Sequence, residues 1–464
     1  MKRLSPLDML FLLFEQRHQP LHVGVLALFH PPYDAPASFV TDLAARLRES
    51  TQAAAPFNRR LGSRFGLKFW EDDPGFDLAH HFVHLALPKP GRIRELLAMV
   101  SRIHSAHLDR AYPLWRTYLI EGLEDGRIAT YSKIHHSLVD GVAGMRLMLN
   151  SMSPDRAESQ LMPPPWEVRT RRSRGLGLPL PQASVGGLKA LRSLLSEGRH
   201  ALPQLAGVLG EAWRDLRQQH PDFVHGLQAP RCILNQPITG SRRFAAQSYP
   251  LARVKQIARA FSATSNDVVL AMCGGALRRY LDEIRELPER PLIAAVPVSL
   301  RRGDSDSGND TGNEIAFALT SLATHLGDAG ERLRAIQHCM EYNKARMRKL
   351  TPAQLLAYEA AILLPGALNF VSGFGRTTAV NVVISNVPGP RRPMYWQGCE
   401  LSGLYPVSIA VSGVALNITL VSRHDSIDFG LIGCRKTLPS LQRLLDHLTD
   451  ELDALELAAG TVSA

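Results

Sequence analysis

Two adjacent histidines stand out in the segment YSKIHHSLVDG, which runs from Tyr131 to Gly141. The residues from Ile128 to His136 are typical of a strand, and neighbouring side chains of a strand point to opposite faces. We therefore expect one of His135 and His136 to face a cavity and the other to pack inside its own domain. Imidazole has a pKa of about 6.5, so a histidine that faces a cavity suits general acid–base chemistry.

The same pair argues against a metal centre. Adjacent strand residues are poor joint ligands for one ion, and no third ligand follows at helical spacing. The cysteines are widely spaced and form no Cys-x-x-Cys motif, which favours reduced thiols over a zinc site or a disulfide framework. They are Cys232, Cys273, Cys339, Cys399 and Cys434. We expect no bound metal.

Asp140 and Gly141 close the segment after a short turn, where a helix is predicted to begin. The carboxylate can cap that helix or pair with a buried arginine, for which Arg301 is one candidate. Gly141 permits a positive φ or a close backbone approach. Either arrangement would hold the loop that carries the second histidine. The residues alone also allow a simpler alternative, in which two structural histidines precede an ordinary helix cap.

The elements around this segment divide the chain into three regions. Residues 1–153 mix strands with helices and carry the histidine pair. Residues 154–237 begin as a linker rich in proline, glycine and arginine and continue as an amphipathic helical segment. Residues 238–464 again mix helices and strands, with a strand cluster near the end. This pattern predicts an α/β or α+β fold with two lobes, of residues 1–153 and 238–464.

The chain carries a net charge of +10, which favours an anionic partner. The sequence has no zinc-finger spacing, no RNP-like aromatic segment and no clear helix-turn-helix, so we expect no nucleic-acid binding. An anionic membrane surface or a phosphate-bearing substrate fits the charge better. The most membrane-like segment, residues 355–375, is interrupted by Glu359, Pro365 and Asn369, so we expect no spanning helix.

The middle region places basic residues beside leucines. This pattern predicts a helix that lies on an anionic bilayer surface, with the leucines in the lipid boundary and the cations at the headgroups. An ordinary surface helix with one solvated face is the alternative. The basic residues are Arg169, Arg171, Arg172, Arg174, Lys189, Arg192 and Arg199.

The segment HHSLVDG has the form His-His-x-x-x-Asp-Gly and resembles the signature of acyltransferases with the chloramphenicol-acetyltransferase-like fold. Further segments resemble one group of them, the bacterial wax ester synthase/diacylglycerol acyltransferases. These segments occur in the family's order between residues 1 and 434, whereas residues 169–220 carry no matching motif. They are SPLDMLFLLFE, QPLHVGVLALF, the Pro-Leu-Trp motif ending at Trp115, the Asn-Asp motif at Asn266 and Asp267, LNQPITGSRRFA, AAVPVSLR, GNEI and NVVISNVPGP.

The resemblance implies an O-acyltransferase that moves a fatty acyl group from acyl-CoA to a long-chain alcohol, giving a wax ester, or to diacylglycerol, giving triacylglycerol. The second histidine, His136, would be the general base, with His135 in support and no covalent acyl-enzyme. The fold would be two chloramphenicol-acetyltransferase-like lobes with the active site in a tunnel between them. No cofactor is implied, because acyl-CoA is a substrate. We expect a cytoplasmic protein on the periphery of the inner membrane face or of lipid inclusions.

Three further residues are substrate or oxyanion candidates by their motifs, namely Asn266, Asp267 and Trp115. Asn266 would serve equally well as a cap for the helix that follows it, and Trp115 as a core residue. Two other functions stay open at this point. One is a non-catalytic lipid-binding protein of the same fold, against which the intact His-His-x-x-x-Asp-Gly set argues. The other is acyl transfer to a smaller alcohol or to an amine.

Overall fold

A computed structural model of the chain describes residues 2–64, 67–139, 141–168, 222–225, 228–299, 315–350, 354–355, 358 and 377–462. The α-helices in these ranges are α1 (Pro6–Phe14), α2 (Phe39–Glu49), α3 (Ile93–Ser105), α4 (Gly141–Leu149), α5 (Arg156–Leu161), α6 (Leu251–Ala260), α7 (Ser265–Glu283), α8 (Ala329–Arg348) and α9 (Arg443–Val462). The strands are β1 (Lys2–Arg3), β2 (His22–His30), β3 (Arg59–Arg64), β4 (Leu67–Asp72), β5 (Phe82–Ala86), β6 (Trp115–Glu121), β7 (Ile128–His135), β8 (Ala229–Pro230), β9 (Arg242–Pro250), β10 (Ile293–Ser299), β11 (Ile315–Ser321), β12 (Thr377–Thr378), β13 (Val382–Pro388), β14 (Tyr395–Trp396), β15 (Cys399–Val407), β16 (Leu416–Ser422) and β17 (Ser426–Cys434).

The first large sheet carries the histidine pair. Its strand order is β14-β15-β2-β7-β6-β5, so β7 is a central strand. Strands β2 and β7 run antiparallel, with His22 opposite His135. The strand predicted to end at His136 is confirmed and ends one residue earlier, and the helix predicted from Gly141 is confirmed as α4.

The second large sheet has the order β11-β10-β13-β16-β17-β9, and its strands β10, β13 and β16 run parallel. Helices α6 to α9 pack with it around the largest apolar core that the described residues form. Helix α7 lies at the centre of this layer. A Cβ on Gly275 would lie 2.0 Å from the side-chain carboxyl carbon of Glu451, and a Cβ on Gly274 would lie 2.5 Å from the carbonyl oxygen of Leu322. Glycine at both positions therefore lets the neighbouring elements approach the helix closely.

Two strands of the second lobe's sequence, β14 and β15, complete the sheet of the first. Strand β15 pairs antiparallel with β2 and not with β13 or β16. The carboxylate of Asp428, on β17, accepts the backbone amide of Leu404 at 2.8 Å and the guanidinium of Arg423 at 2.7 Å, which ties β15 to the second sheet. The prediction that residues 238–464 form the second lobe is corrected here, because β15 belongs to the sheet of the first lobe. The strand pattern of β15 is readable from sequence, but its pairing partner is not.

The remaining predictions about the chain have mixed outcomes. The N-terminal apolar run forms helix α1, which begins at a capping box between Ser5 and Asp8. All five cysteines are free thiols in this structure. None of the helices that the structure describes has the length and apolar character needed to cross a membrane. The basic helical segment with its seven named cations, most of residues 355–375, Arg301 and Asp140 lie outside the described residues.

Candidate active site

His136 is the first residue after β7, and backbone hydrogen bonds fix its position. Its amide donates to the carbonyl of Leu21 at 3.0 Å, and the amide of His135 donates to the carbonyl of Leu114 at 2.9 Å. The chain then turns, since the amide of Leu138 donates to the carbonyl of His135 at 2.9 Å. The histidine is therefore held on rigid backbone at the end of a central strand.

The side chain of His136 faces a mostly apolar cavity of about 120 Å³. Ser132 and Ile134 line the same cavity, because alternate residues of β7 share one face. Helix α4 adds Met145 and Met148 to the wall. The lining from the second lobe and from β15 consists of Ser385, Val387, Pro406, Val407, Ser408 and Thr419. The cavity thus lies between the lobes, where the resemblance placed the active site.

The imidazole of His136 is held in its neutral form. Its ring stacks on that of Phe11, with 4.3 Å between centroids and 16° between planes. The Nδ1 atom is buried and has no hydrogen-bond partner within the described part of the chain. Burial lowers the pKa of His136 to about 4, and the positive charge that His135 carries when protonated acts in the same direction. At pH 7 this ring is uncharged and able to accept a proton.

His135 points to the other side of the strand, into a network of polar groups. Its Nδ1 accepts a hydrogen bond from the amide of Ser137 at 3.2 Å and lies 2.6 Å from the Ser137 hydroxyl. The ring proton therefore sits on Nε2, which lies 3.4 Å from a carboxylate oxygen of Glu15. Only 1% of the His135 side chain is exposed, and His135 is not among the residues that line the cavity.

Glu15 anchors this network. Arg110 donates to one carboxylate oxygen at 2.9 Å, and the amide of Leu21 donates to the other at 3.2 Å. Burial raises the pKa of Glu15, but the hydrogen bonds from His135, Arg110 and Leu21 outweigh it and lower the pKa to about 2. The carboxylate is thus ionised at neutral pH, and it fixes both the His135 ring and the residue that accepts the His136 amide.

Trp115 is both a core residue and a cavity residue. Its indole nitrogen donates to the carbonyl of Phe57 at 2.8 Å, and its ring stacks on His81 with 4.5 Å between centroids. Only 1% of Trp115 is exposed, yet its ring lines the cavity of His136. It shapes the cavity wall while it is held by the core.

Asn266 and Asp267 lie elsewhere, in the first turn of α7. The Asp267 carboxylate accepts the amide of Thr264 at 2.9 Å and the Thr264 hydroxyl at 2.6 Å, which completes a capping box. Asn266 lines a second, separate cavity in the second lobe. The structure therefore does not bring either residue to His136, and the oxyanion assignment of Asn266 has no support from its position.

The roles of Asp140 and Gly141 stay predictions. Asp140 lies outside the described residues, and Gly141 is the first residue of α4. Among the described residues, no group of three or more histidine, cysteine, aspartate or glutamate side chains could hold a metal ion.

Sequence reasoning missed three residues of this site. Phe11 and Glu15 lie in the segment SPLDMLFLLFE, and Ser385 lies in NVVISNVPGP. Both segments match the family pattern, but nothing in them assigns a contact with the histidine pair. The contacts of Phe11 and Glu15 with the histidine pair, and the place of Ser385 in the cavity wall, depend on packing between distant parts of the chain.

Two family models and a curated relative match nearly the whole chain. Residues 4–269 match the model of the wax ester synthase/diacylglycerol acyltransferase catalytic domain, and residues 311–456 match the WS/DGAT C-terminal domain. The chain is 47% identical to the O-acyltransferase WSD of Acinetobacter baylyi, over 98% of this chain and 97% of that protein.

Two solved structures extend the comparison to the fold. The wax ester synthase/diacylglycerol acyltransferase of Marinobacter aquaeolei VT8 superposes with a TM-score of 0.78 and 44% identity, covering 99% of this chain and 100% of that one. The first condensation domain of the calcium-dependent antibiotic synthetase superposes with a TM-score of 0.59 and 17% identity, covering 100% of this chain and 98% of that one. At that identity the likeness concerns the fold alone. Because both domain models of the family match and an O-acyltransferase is 47% identical over nearly the whole chain, the chain belongs to the wax ester synthase/diacylglycerol acyltransferase family and is an O-acyltransferase.

Proposed function

We propose that the chain transfers a fatty acyl group from acyl-CoA to the hydroxyl of a long-chain alcohol or a diacylglycerol, with His136 as the general base. The observation that carries this proposal is the neutral His136 ring at the wall of a mostly apolar cavity lined by both lobes. An apolar wall suits an acyl chain, and among the described residues of the wall the neutral imidazole is the side chain that can take a hydroxyl proton at pH 7.

In the proposed reaction the acceptor oxygen attacks the thioester carbonyl while its proton passes to a ring nitrogen of His136. The tetrahedral intermediate then expels the thiolate, which takes the proton from the imidazolium and leaves as free CoA. A ring with a pKa near 4 gives up this proton readily once it has accepted it. The product is an ester, and no covalent acyl-enzyme is formed. The thioester supplies the activated acyl group, so the proposed steps need no cofactor.

The oxyanion of the intermediate needs a hydrogen-bond donor beside the same cavity. We assign this role to Ser385, because it lines the cavity of His136 from the opposite lobe. His135 and Glu15 act on the reaction through position, because they hold the loop from which the base projects and do not line the cavity.

The test is an assay of the purified chain with palmitoyl-CoA and, separately, hexadecanol and dipalmitoylglycerol. Thiol release and the neutral lipid product are measured together. We expect thiol release that depends on the acceptor and matches the ester formed, and we expect both to disappear in His136→Ala. The exposed-surface variant Leu161→Ser is the control and should keep full activity. Binding of lipid without any acyl transfer would instead support the non-catalytic alternative.

We further propose that the protein acts in the cytoplasm on an anionic membrane or lipid-inclusion surface. Helix α1 exposes Leu13 (72%), Phe14 (51%) and Met9 (46%), while Phe11 of the same helix stacks on His136. Apolar side chains of this kind enter the lipid boundary, and basic residues near the surface add about 1 kcal/mol each on anionic lipid. The net charge of +10 also favours association with anionic lipid.

Liposome sedimentation tests this association. The variant Leu13→Ser/Phe14→Ser should sediment less with anionic vesicles than the parent, and high salt should weaken binding of both. Leu457→Ser removes an equally exposed leucine (75%) from α9, at the far end of the chain, and should sediment like the parent. Equal sedimentation of the α1 variant and the parent would exclude α1 from the contact.

A further inference from the structure

A second cavity, of about 450 Å³, lies in the second lobe and differs in character from the cavity of His136. It sits where β10, β13 and β16 end, beside the first turn of α7 and the last turns of α8. Its lining includes Asn266, Pro297, Lys344, Arg348, Asn386 and Ser422. Two cations and several uncharged polar groups thus line one space.

The two cations come from successive turns of α8. Lys344 and Arg348 are four residues apart and so share one face of the helix. Neither forms an ion pair with a carboxylate in the described ranges. Arg346, between them, is directed elsewhere, because its guanidinium lies 5.1 Å from the ring of Phe223 and 5.3 Å from that of Tyr358. The cavity therefore gathers two positive charges that the described part of the fold does not neutralise.

The uncharged polar residues of this cavity have hydrogen-bond donors that a ligand can use. The Ser422 hydroxyl donates to the amide oxygen of Asn386 at 3.3 Å, so the amide nitrogen of Asn386 is left to donate to a ligand. Asn266 contributes a second amide. The neighbouring Asp267 carboxylate is engaged by Thr264 in the capping box. Cations and amide donors together are the chemistry that recognises phosphate oxygens.

The sheet between the two cavities is open at this point. Strands β10 and β13 pair only at Ala294 with Val382 and at Ala295 with Val383, although both strands continue. Beyond these pairs Pro297 and Asn386 line the polar cavity. Ser385, the residue before Asn386, lines the cavity of His136. The polar cavity therefore lies at a gap in the sheet, with the reaction cavity on the opposite face of β13.

We infer that the polar cavity holds the phosphate groups of the acyl-CoA nucleotide, with Lys344 and Arg348 as their cationic partners. This inference rests on the proposed function, since it names the subsite for one of its substrates. Acyl-CoA is a phosphorylated nucleotide joined by a long arm to an apolar chain. The protein presents matching parts in the same order. These are the cationic cavity, the gap between β10 and β13, and the apolar cavity beside the general base His136.

The probe is adenosine 3′,5′-bisphosphate, which carries nucleotide phosphates without the arm or the thioester. Its binding to the full chain is measured by calorimetry, and the KM for palmitoyl-CoA is measured in parallel. A hydrogen bond to a charged group contributes about 1.5–3 kcal/mol, so we expect Lys344→Gln/Arg348→Gln to weaken bisphosphate binding at least about tenfold. The KM for palmitoyl-CoA should rise by a similar factor, while kcat changes less than about threefold.

The matched control is Lys255→Gln/Lys349→Gln, which removes two exposed cations from α6 and from the residue after α8. It lowers the net charge equally, and it should bind bisphosphate like the parent. Parent-like binding and KM in Lys344→Gln/Arg348→Gln would overturn the inference even if acyl transfer is intact. Bisphosphate binding that depends on these two residues, without acyl transfer to any acceptor, would uphold the phosphate site and refute the proposed function.

Binding to anionic vesicles tests whether the two residues instead bind the phosphate of a lipid headgroup. If Lys344→Gln/Arg348→Gln lost vesicle binding but kept its affinity for the bisphosphate, the two residues would serve a lipid headgroup and the inference would fail. Thermal unfolding of each variant checks that the fold is intact.

Discussion

The two faces of strand β7 place the same residue type in opposite surroundings. On one face Tyr131, Lys133 and His135 are buried and make polar contacts; the ammonium of Lys133, for example, donates to the carbonyls of Ile103 and Ala106 at 2.9 and 2.6 Å. On the other face His136 stacks on a phenyl ring, and its buried Nδ1 has no partner within the described residues. A histidine enclosed by polar side chains is part of the framework, whereas one at the wall of the cavity is available to a substrate.

The largest effect should come from replacing each of the two histidines separately with alanine. His136→Ala should lower kcat by about a thousandfold, the range for loss of a general base, and change the free energy of unfolding by only about 1 kcal/mol, chiefly through the stacking on Phe11. His135→Ala should retain more activity but lose about 2–3 kcal/mol of stability, because it removes the partner of Ser137 and one of the polar contacts of the buried Glu15 carboxylate. Steady-state kinetics and urea unfolding of both variants measure this. Equal activity losses in the two variants would contradict the division between the faces.

The next effect concerns the wall opposite the base. Ser385→Ala should lower kcat by about a hundredfold with little change in KM, because a donor to the oxyanion acts only in the transition state. Ser132→Ala is the matched control, since Ser132 lines the same cavity but its hydroxyl lies 2.9 Å from that of Thr117. It should lose less than about threefold. If the two serine variants behaved alike, Ser385 would be only part of the wall.

A smaller effect is expected from the network around the other histidine. Glu15→Gln should lower kcat by about tenfold and the free energy of unfolding by about 1–3 kcal/mol, because a buried acceptor of charged hydrogen bonds is lost. The folded-state pKa of Glu15 lies near 2, below the value of about 4.5 for a free glutamate. Its ionised form therefore stabilises the fold above pH 4.5, and this contribution is lost as the pH falls towards 2. The free energies of unfolding of parent and variant should differ at pH 7 and converge as the pH falls from 4.5 towards 2. A difference that stays constant with pH would contradict a stabilising role of the ionised carboxylate.

The smallest effect is the pH dependence of the base. With a pKa of about 4, His136 stays neutral down to pH 5, so kcat/KM should be flat from pH 8 to pH 5 and fall as the pH approaches 4. An ordinary histidine with a pKa of about 6.5 would instead leave only about a quarter of the rate at pH 6. Measurement of kcat/KM at pH 8, 6 and 5 decides between them, and a midpoint near 6.5 would mean that the cavity is wetter than its lining indicates.

The sequence reveals local features of this site well. The end of β7, the start of α4 and the opposite orientation of the two histidines follow from strand alternation and the helix pattern. The role of Asp267 was also readable, because Thr264 and Asp267 have the Thr-x-x-Asp spacing of a capping box. The resemblance of Asn266 and Asp267 to the family's Asn-Asp motif led instead to the prediction that they contact the substrate or the oxyanion.

Long-range features could not be read in the same way. The contact between Glu15 and His135 depends on where α1 packs, and Ser385 reaches the cavity only because β13 lies opposite the first sheet. The membership of β15 in that sheet depends on pairing with β2, which side-chain periodicity does not encode. Periodicity predicts that a segment is a strand and which residues share a face, but the partner is selected by the packing of the whole chain.

The position of β15 also has a consequence for how the protein folds during its synthesis. During synthesis β2 emerges early, but its neighbour on one side is made only when residues 399–407 leave the ribosome. Until then the edge of β2 has unpaired backbone groups, and such an edge is a template for pairing with other chains. Closing so large a loop is slow, and the nascent first lobe must wait for it. We therefore expect chains truncated before residue 399 to aggregate, and expression of the full protein to depend on chaperones that shield this edge.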